Sequence, residues 1–266
     1  MKRKKKKQCV LCQEYFKNSN MSEEHYPAKS TGNDDIVALD LVKMIDSMMS
    51  GEVNKHIYDP KNKGKSIEEI SGDYFDSELS YPFYPKGRTT RSLCRSCNTF
   101  LGKYDEAYKK FFDNEGDPAI IKGFQILTRL KIVKAIYAEF LSVPECKGWE
   151  FDFIHFLRDE KAEIYNGKWQ VYCLKRDHST DMMGLESLET GKMDWNEGVI
   201  FELSDEKFIF HLMNFDPHEC YKSMNMMDIL GKSYKLVSGH EVQGGYHGQF
   251  MIQNMFGVLN ATEKGL

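Results

Sequence analysis

Four of the seven cysteines fall into two Cys-x-x-Cys pairs, Cys9 with Cys12 and Cys94 with Cys97. Zn²⁺ prefers four thiolate or imidazole ligands in a tetrahedron, and one Cys-x-x-Cys turn offers two sulfurs at about 2.3 Å. Two such turns complete a closed structural site that has no open position for chemistry. A redox dithiol, or unrelated buried cysteines, are the other readings; two pairs in one chain favour zinc. Such a staple draws residues near 10 and near 95 together, along with whatever lies just inside the pairs. Glu24-His25 lies there, with Pro27 two residues on, and so does Asn98, directly after Cys97. An imidazole has the right unperturbed pKa to activate water near neutral pH. A carboxylate and an amide oxygen are the donors a hard ion such as Mg²⁺ takes, and such an ion relieves charge on a phosphodiester as a Lewis acid. Taken singly, each piece has a plainer reading: Glu24-His25 as a surface pair, Asn98 as a helix cap.

In combination, Cys9-Val10-Leu11-Cys12, Glu24-His25-Tyr26-Pro27 and Leu93-Cys94-Arg95-Ser96-Cys97-Asn98 resemble the zinc-containing branch of the HNH, or ββα-metal, endonuclease family. The resemblance covers residues 8–112, with a large insertion at about 33–80. It implies that Glu24 and Asn98 hold a catalytic divalent ion, Mg²⁺ or another, that His25 is the general base, and that the substrate is DNA. Glu23 is the other carboxylate; Glu24 is preferred because it directly precedes the histidine. Two positions depart from the family pattern. Glu24 is one methylene longer than the aspartate that often stands there. Thr89, with Thr90 beside it, occupies the place of a middle asparagine that supports the histidine strand. The competing reading is a catalytically degenerate, zinc-stapled module that binds nucleic acid without cutting it; a scaffold that binds only protein is a third. Arg88, Arg91, Arg95, Lys103, Lys109 and Lys110 are candidate phosphate contacts, which position a duplex but do not read its sequence. Solvated charges balanced by neighbours such as Asp105 and Glu106 are the alternative for them.

The elements that must position these residues are legible in outline. The chain has 266 residues and a net charge of −4. Residues 1–112 carry 20 Lys and Arg against 16 Asp and Glu, and the remainder 16 against 24, so a polyanion is expected to meet the N-terminal half. The predicted fold class is α+β. Residues 1–116 are predicted to form the HNH domain with its helical insertion, and residues 117–266 an accessory α+β domain with a long helix on antiparallel strands. Within the insertion, periodicity predicts a helix over 33–49 with Asn33 or Asp34 as cap, a loop over 59–65, a short helix over 66–79 and a break at 81–85. A helix is predicted after Cys97, ending at 114–118. The second part is predicted to open with a helix over 119–142, followed by a hairpin of 162–165 with 169–174 around Asn166-Gly167. A second hairpin, of 199–203 with 208–213, turns at 204–206; residues 241–256 are ambiguous.

Cys173 and His211 read as buried core residues, and the Met224, Met226, Met227 cluster as packing. Asp105 reads as a helix-surface carboxylate, and His155, His178, His211, His218, His240 and His247 show no zinc-like spacing. No apolar run approaches the ~20 residues of a membrane span. The basic start, Met1 to Lys7, lacks the apolar core of a secretory signal. A soluble, cytoplasmic protein without membrane contact or a disulfide framework is therefore expected. The accessory part is expected to recognise a target, a protein partner or a second copy of the chain. The family resemblance suggests a restriction, anti-phage defence or mobile-element setting.

Overall fold

The computed structural model describes residues 6–177, 190–239, 246 and 248–250. The basic residues 1–5, His178, His240, His247 and most of 241–256 lie outside them. The chain divides into two compact units, residues 1–33 with 89–266, and residues 34–88. The architecture is mixed α+β with mainly antiparallel sheets.

The first unit opens with β1 (Lys6–Gln8) and β2 (Tyr15–Lys17), an antiparallel pair. Cys9 and Cys12 lie in the turn between them, closed by Gln13 N–H to Cys9 O at 2.8 Å and Cys9 N–H to Glu14 O at 2.9 Å. Strand β3 (Glu24–His25) follows.

The chain then leaves for the second unit. This holds β4 (Ile36–Leu39), α1 (Leu41–Ser50), α2 (Glu52–Ile57), α3 (Ile67–Tyr74) and β5 (Ser80–Tyr84). The single helix expected over 33–49 is corrected here. Asp40, not Asn33 or Asp34, is the cap, accepting from Lys43 N at 3.0 Å, and the residues before it pair with β5. Residues 81–84, expected to break regular structure, form that partner strand; Pro82 is tolerated because a two-stranded sheet is all edge. Strand-favouring Ile36 and Val37 share residue types with the helix stripe, which hid the change of period. The helix expected over 66–79 starts with a Ser66–Glu69 capping box and passes into a π-helical turn, Phe75–Leu79.

The chain re-enters the first unit at β6 (Thr89–Thr90), which pairs antiparallel with β3, Glu24 opposite Thr90 and His25 opposite Thr89. Helices α4 (Arg95–Leu101), α5 (Asp105–Asp113), α6 (Pro118–Ile121), α7 (Ile126–Glu139) and α8 (Ile154–Arg158) come next. The long helix expected over 119–142 is thus two, broken at 122–125 where Gly123 N–H turns back to Ile120 O at 2.9 Å.

Strands β7 (Gln170–Lys175), β8 (Thr190–Trp195), β9 (Gly198–Ser204), β10 (Phe208–Met213) and β11 (Val237–Ser238) form one sheet in the order β11-β7-β10-β9-β8. All its pairs are antiparallel except β11 with β7. The β9–β10 hairpin, expected to turn at 204–206, turns at 205–207; Asp205 accepts from Lys207 N at 2.8 Å and Phe208 N at 2.7 Å. The hairpin expected at Asn166-Gly167 does not form. The Tyr165 hydroxyl donates to Asp152 and accepts from Trp169 N at 3.2 Å, so its side chain ties a loop where a strand was expected, and β7 pairs with β10 instead.

The boundary expected at 116/117 does not coincide with a division of the chain. Phe111 of α5 lies 4.7 Å from Phe208 of β10, and Tyr108 6.1 Å from Phe210. One buried cluster runs from Cys9 and Leu93 through α5 and α7 into the sheet. Cys173, Met224 and Met226 are buried in the core. His211 is buried on β10, its Nε2 2.6 Å from Glu202 on β9. Among the described residues no helix is long and apolar enough to cross a membrane.

Candidate functional site

The two cysteine pairs converge. The sulfurs of Cys9, Cys12, Cys94 and Cys97 all lie within 4.8 Å of one another. Tetrahedral thiolates at about 2.3 Å from one ion stand under 4 Å apart, so the cluster is compatible with a structural zinc ion. Cys94 is the N-cap of α4, and its N–H donates to Cys9 Sγ at 3.3 Å. The Ser96 hydroxyl lies 3.2 Å from Cys94 Sγ. Burial, with Cys94 and Cys9 beside it, pushes the Cys97 thiol well above its ordinary range; a cation would let the clustered sulfurs ionise together. Backbone bonds extend the staple, from Val10 N to Ser92 O at 3.1 Å and from Ser22 N to Leu93 O at 2.9 Å.

That stapling aligns the residues between the pairs. Glu24 is 7% exposed. Its Oε2 accepts from Ser92 N at 3.2 Å and from the Ser92 hydroxyl at 3.3 Å. Asn98, on α4, donates from Nδ2 to Ser22 Oγ at 2.9 Å, and the Ser22 hydroxyl is among the groups that pull the Glu24 carboxyl down. Ser22 is therefore bonded to the amide of α4 and lies close to the carboxylate of β3. Glu24 Oε1 is buried and meets no hydrogen-bond donor among the described residues. Burial pushes the Glu24 carboxyl above its usual value, against the pull of the Ser92 and Leu93 N–H groups and the Ser22 and Ser92 hydroxyls. An under-satisfied buried carboxylate oxygen needs a proton or a cation.

In comparison with known proteins, the chain matches no family model, no curated protein and no solved structure.

His25 follows Glu24 on β3, and strand alternation turns it toward the opposite face. Thr89 stands opposite it in register, but the Thr89 hydroxyl donates to Glu23 Oε1 at 3.4 Å. Glu23 is also held by Arg91 at 2.8 Å, and the Arg91 guanidinium, with lesser help from Thr89 and His25, keeps its carboxyl below the usual range. The peptide Tyr26–Pro27 is cis, and Asn33 Nδ2 donates to Pro27 O at 2.6 Å, closing the loop behind the histidine.

The basic candidates fall in different surroundings. Arg95 donates to Ser19 O at 3.1 Å. Lys103 pairs with Glu160 at 2.6 Å and Lys110 with Glu106 at 2.8 Å, while Lys109 bonds Asp113 one turn on. Arg88 belongs to the inserted unit and stacks over Tyr84 at 5.4 Å. The insertion bounds sharpen the charge pattern. Residues 1–33 and 89–112 carry 13 Lys and Arg against 5 Asp and Glu, whereas residues 34–88 carry 7 against 11. Ser22 and Ser92 had no signal in the sequence, since hydroxyl residues are common and only the fold shows what they join.

Proposed function

We propose that the chain is a metal-dependent endonuclease of the HNH, ββα-metal type, hydrolysing phosphodiester bonds of DNA. The observation that carries the reading is the grouping of the buried Glu24, Ser22 and Asn98 beside the four-cysteine cluster, on a strand pair that leads into a helix. Glu24 Oε1 and the Asn98 amide oxygen are the donor types that would hold a hard divalent ion. What such an ion, Mg²⁺ in this proposal, would supply when bound is Lewis-acid relief of the charge that builds on the phosphate and its leaving oxygen. His25, on the face of β3 opposite Glu24, is the proposed base for the attacking water and serves that site only from the flank of the strand. Ser92 holds the carboxylate, and the basic surplus of the site-bearing segments favours a polyanion.

The second reading is a non-cutting, zinc-stapled binding module. It is favoured by Thr89, whose hydroxyl goes to Glu23 rather than doing for His25 what an asparagine amide does in the family. Plasmid DNA incubated with purified protein and Mg²⁺ separates the two. Nicking abolished by EDTA, and lowered about 100-fold or more in His25→Ala, is the expected result. Salt-sensitive binding without cleavage under any divalent ion supports the module. Cleavage undiminished in His25→Ala sinks the mechanism.

A further inference from the structure

The end of α7 reaches the candidate site at two places. The Glu139 carboxyl lines one small cavity with Pro27, and the next backbone N–H, that of Ala28 in the loop just after His25, lies close enough to act on it. Three residues on, the Ser142 hydroxyl lies 3.3 Å from that of Ser92, and Ser92 donates twice to Glu24 Oε2. The last residue of α7 and the turn that follows it, far away in sequence, thus approach both limbs of the site: the histidine loop and the buried carboxylate.

The loop is also tied from other sides. Thr31 Oγ1 donates to Ala28 O at 2.8 Å, and Glu206 N donates to Thr31 O at 3.1 Å. Behind it, a small cavity is lined by Pro27, Tyr108, Ile136, Glu139 and Asp205. Asp105 of α5 and Asp205 of the β9–β10 turn are the charged neighbours of Glu139, and the Tyr108 hydroxyl is bonded to Asp205. Burial, then the charges of Asp105 and Asp205, push the Glu139 carboxyl up to about 8. At neutral pH it is largely protonated, and can accept from Ala28 through its carbonyl oxygen without adding a third negative charge. Glutamine has the same shape and acceptor as that neutral acid.

We propose that Glu139 and Ser142 are positioning residues, which fix the His25 loop through Ala28 and the Glu24 carboxylate through Ser92. This rests on the nuclease reading for the roles of His25 and Glu24, though not for the bonds themselves. Remote supports of this kind matter because a misplacement of about 1 Å can lower a rate about 100-fold.

The test uses the full-length, zinc-loaded protein with Glu139→Gln, Glu139→Asp and Ser142→Ala. Hydrogen exchange of the Ala28 N–H and the His25 imidazole shifts are followed by NMR, and kcat and KM for plasmid nicking are measured. Glu139→Asp, which withdraws the acceptor by one methylene, is expected to speed Ala28 exchange about tenfold or more and move the His25 signals. It should lower kcat by about 10- to 100-fold with KM unchanged. Glu139→Gln is expected to retain wild-type values in both. Ser142→Ala is expected to weaken Mn²⁺ binding, read by electron paramagnetic resonance, by about tenfold. Wild-type Ala28 exchange and kcat in Glu139→Asp, or equal losses in Glu139→Gln and Glu139→Asp, overturns the proposal. If the wild-type protein neither cleaves DNA nor binds Mn²⁺, the nuclease reading fails, while Ala28 exchange still decides whether Glu139 holds the loop.

Discussion

Glu23 and Glu24 are neighbours with the same side chain, and their surroundings drive them apart. Arg91 holds the exposed Glu23 ionised, whereas burial raises Glu24. The second environment suits a ligand whose charge is released when a cation arrives. Glu139 shows the same physics more strongly and gives a pH-dependent expectation. Its native carboxyl keeps its proton to about pH 8, whereas in the unfolded chain it ionises near the ordinary glutamate value of about 4.3. The native state therefore binds the extra proton between those values. Its stability, relative to the unfolded chain, falls as pH rises through that window and is flat above it. Glu139→Gln cannot ionise, so its melting temperature should gain on the wild type between pH 5 and pH 8.5. Parallel thermal scans at the two pH values check this; a difference that does not grow with pH contradicts the burial of an ionisable acid at this position.

At the scale of elements, the β1–β2 turn and the start of α4 are two short pieces that could not hold position alone. Strand β3 has only two residues, too few to be stable without support. The cysteine cluster supplies that support, so metal removal should be felt at β3 and β6. Metal analysis of the purified protein is expected to find about one zinc per chain. Cys97→Ser is expected to lower zinc content and to strip hydrogen-exchange protection from residues 24–25 and 89–90; unchanged protection in zinc-free protein would show that the strands stand without the staple. Helix α1 shows where periodicity stops being informative. Its apolar stripe is real, but Ile45, Met48 and Met49 are 45%, 60% and 84% exposed. Hydrophobic spacing marks a face and does not say what covers it. Strand β4 was missed for a related reason, since four residues cannot display a period of two within a longer helical pattern.

At the scale of the whole molecule, the segment after residue 116 is not a separate accessory body. Tyr108, Phe111 and Phe112 of α5 pack on Phe208 and Phe210 of β10, and Phe111 is fully buried. Removing one such ring costs about 3–5 kcal/mol, comparable to much of a domain's total stability. A fragment of residues 117–266 lacks all three rings and is expected to show no cooperative thermal transition. The full chain should show one, and a sharp transition in the fragment would restore the expected boundary. The compact division instead sets residues 34–88 apart, close to the insertion expected at about 33–80.

The sequence by itself predicted that Cys9, Cys12, Cys94 and Cys97 converge, because paired Cys-x-x-Cys turns suit one tetrahedral ion. It also marked the acid-His pair and Asn98, the β9–β10 hairpin, and the burial of Cys173 and His211. Local spacing is enough for each of these. Only the tertiary structure decided that Ser22 is bonded to Asn98 close to Glu24, that Thr89 turns to Glu23, and that α7 braces the loop after His25. The Asn98–Ser22 and Thr89–Glu23 bonds span 76 and 66 positions, and the bond that ties Ser142 to Ser92 spans 50. No local pattern encodes them: they depend on which faces the folded elements present to one another, and that is set by the shared core.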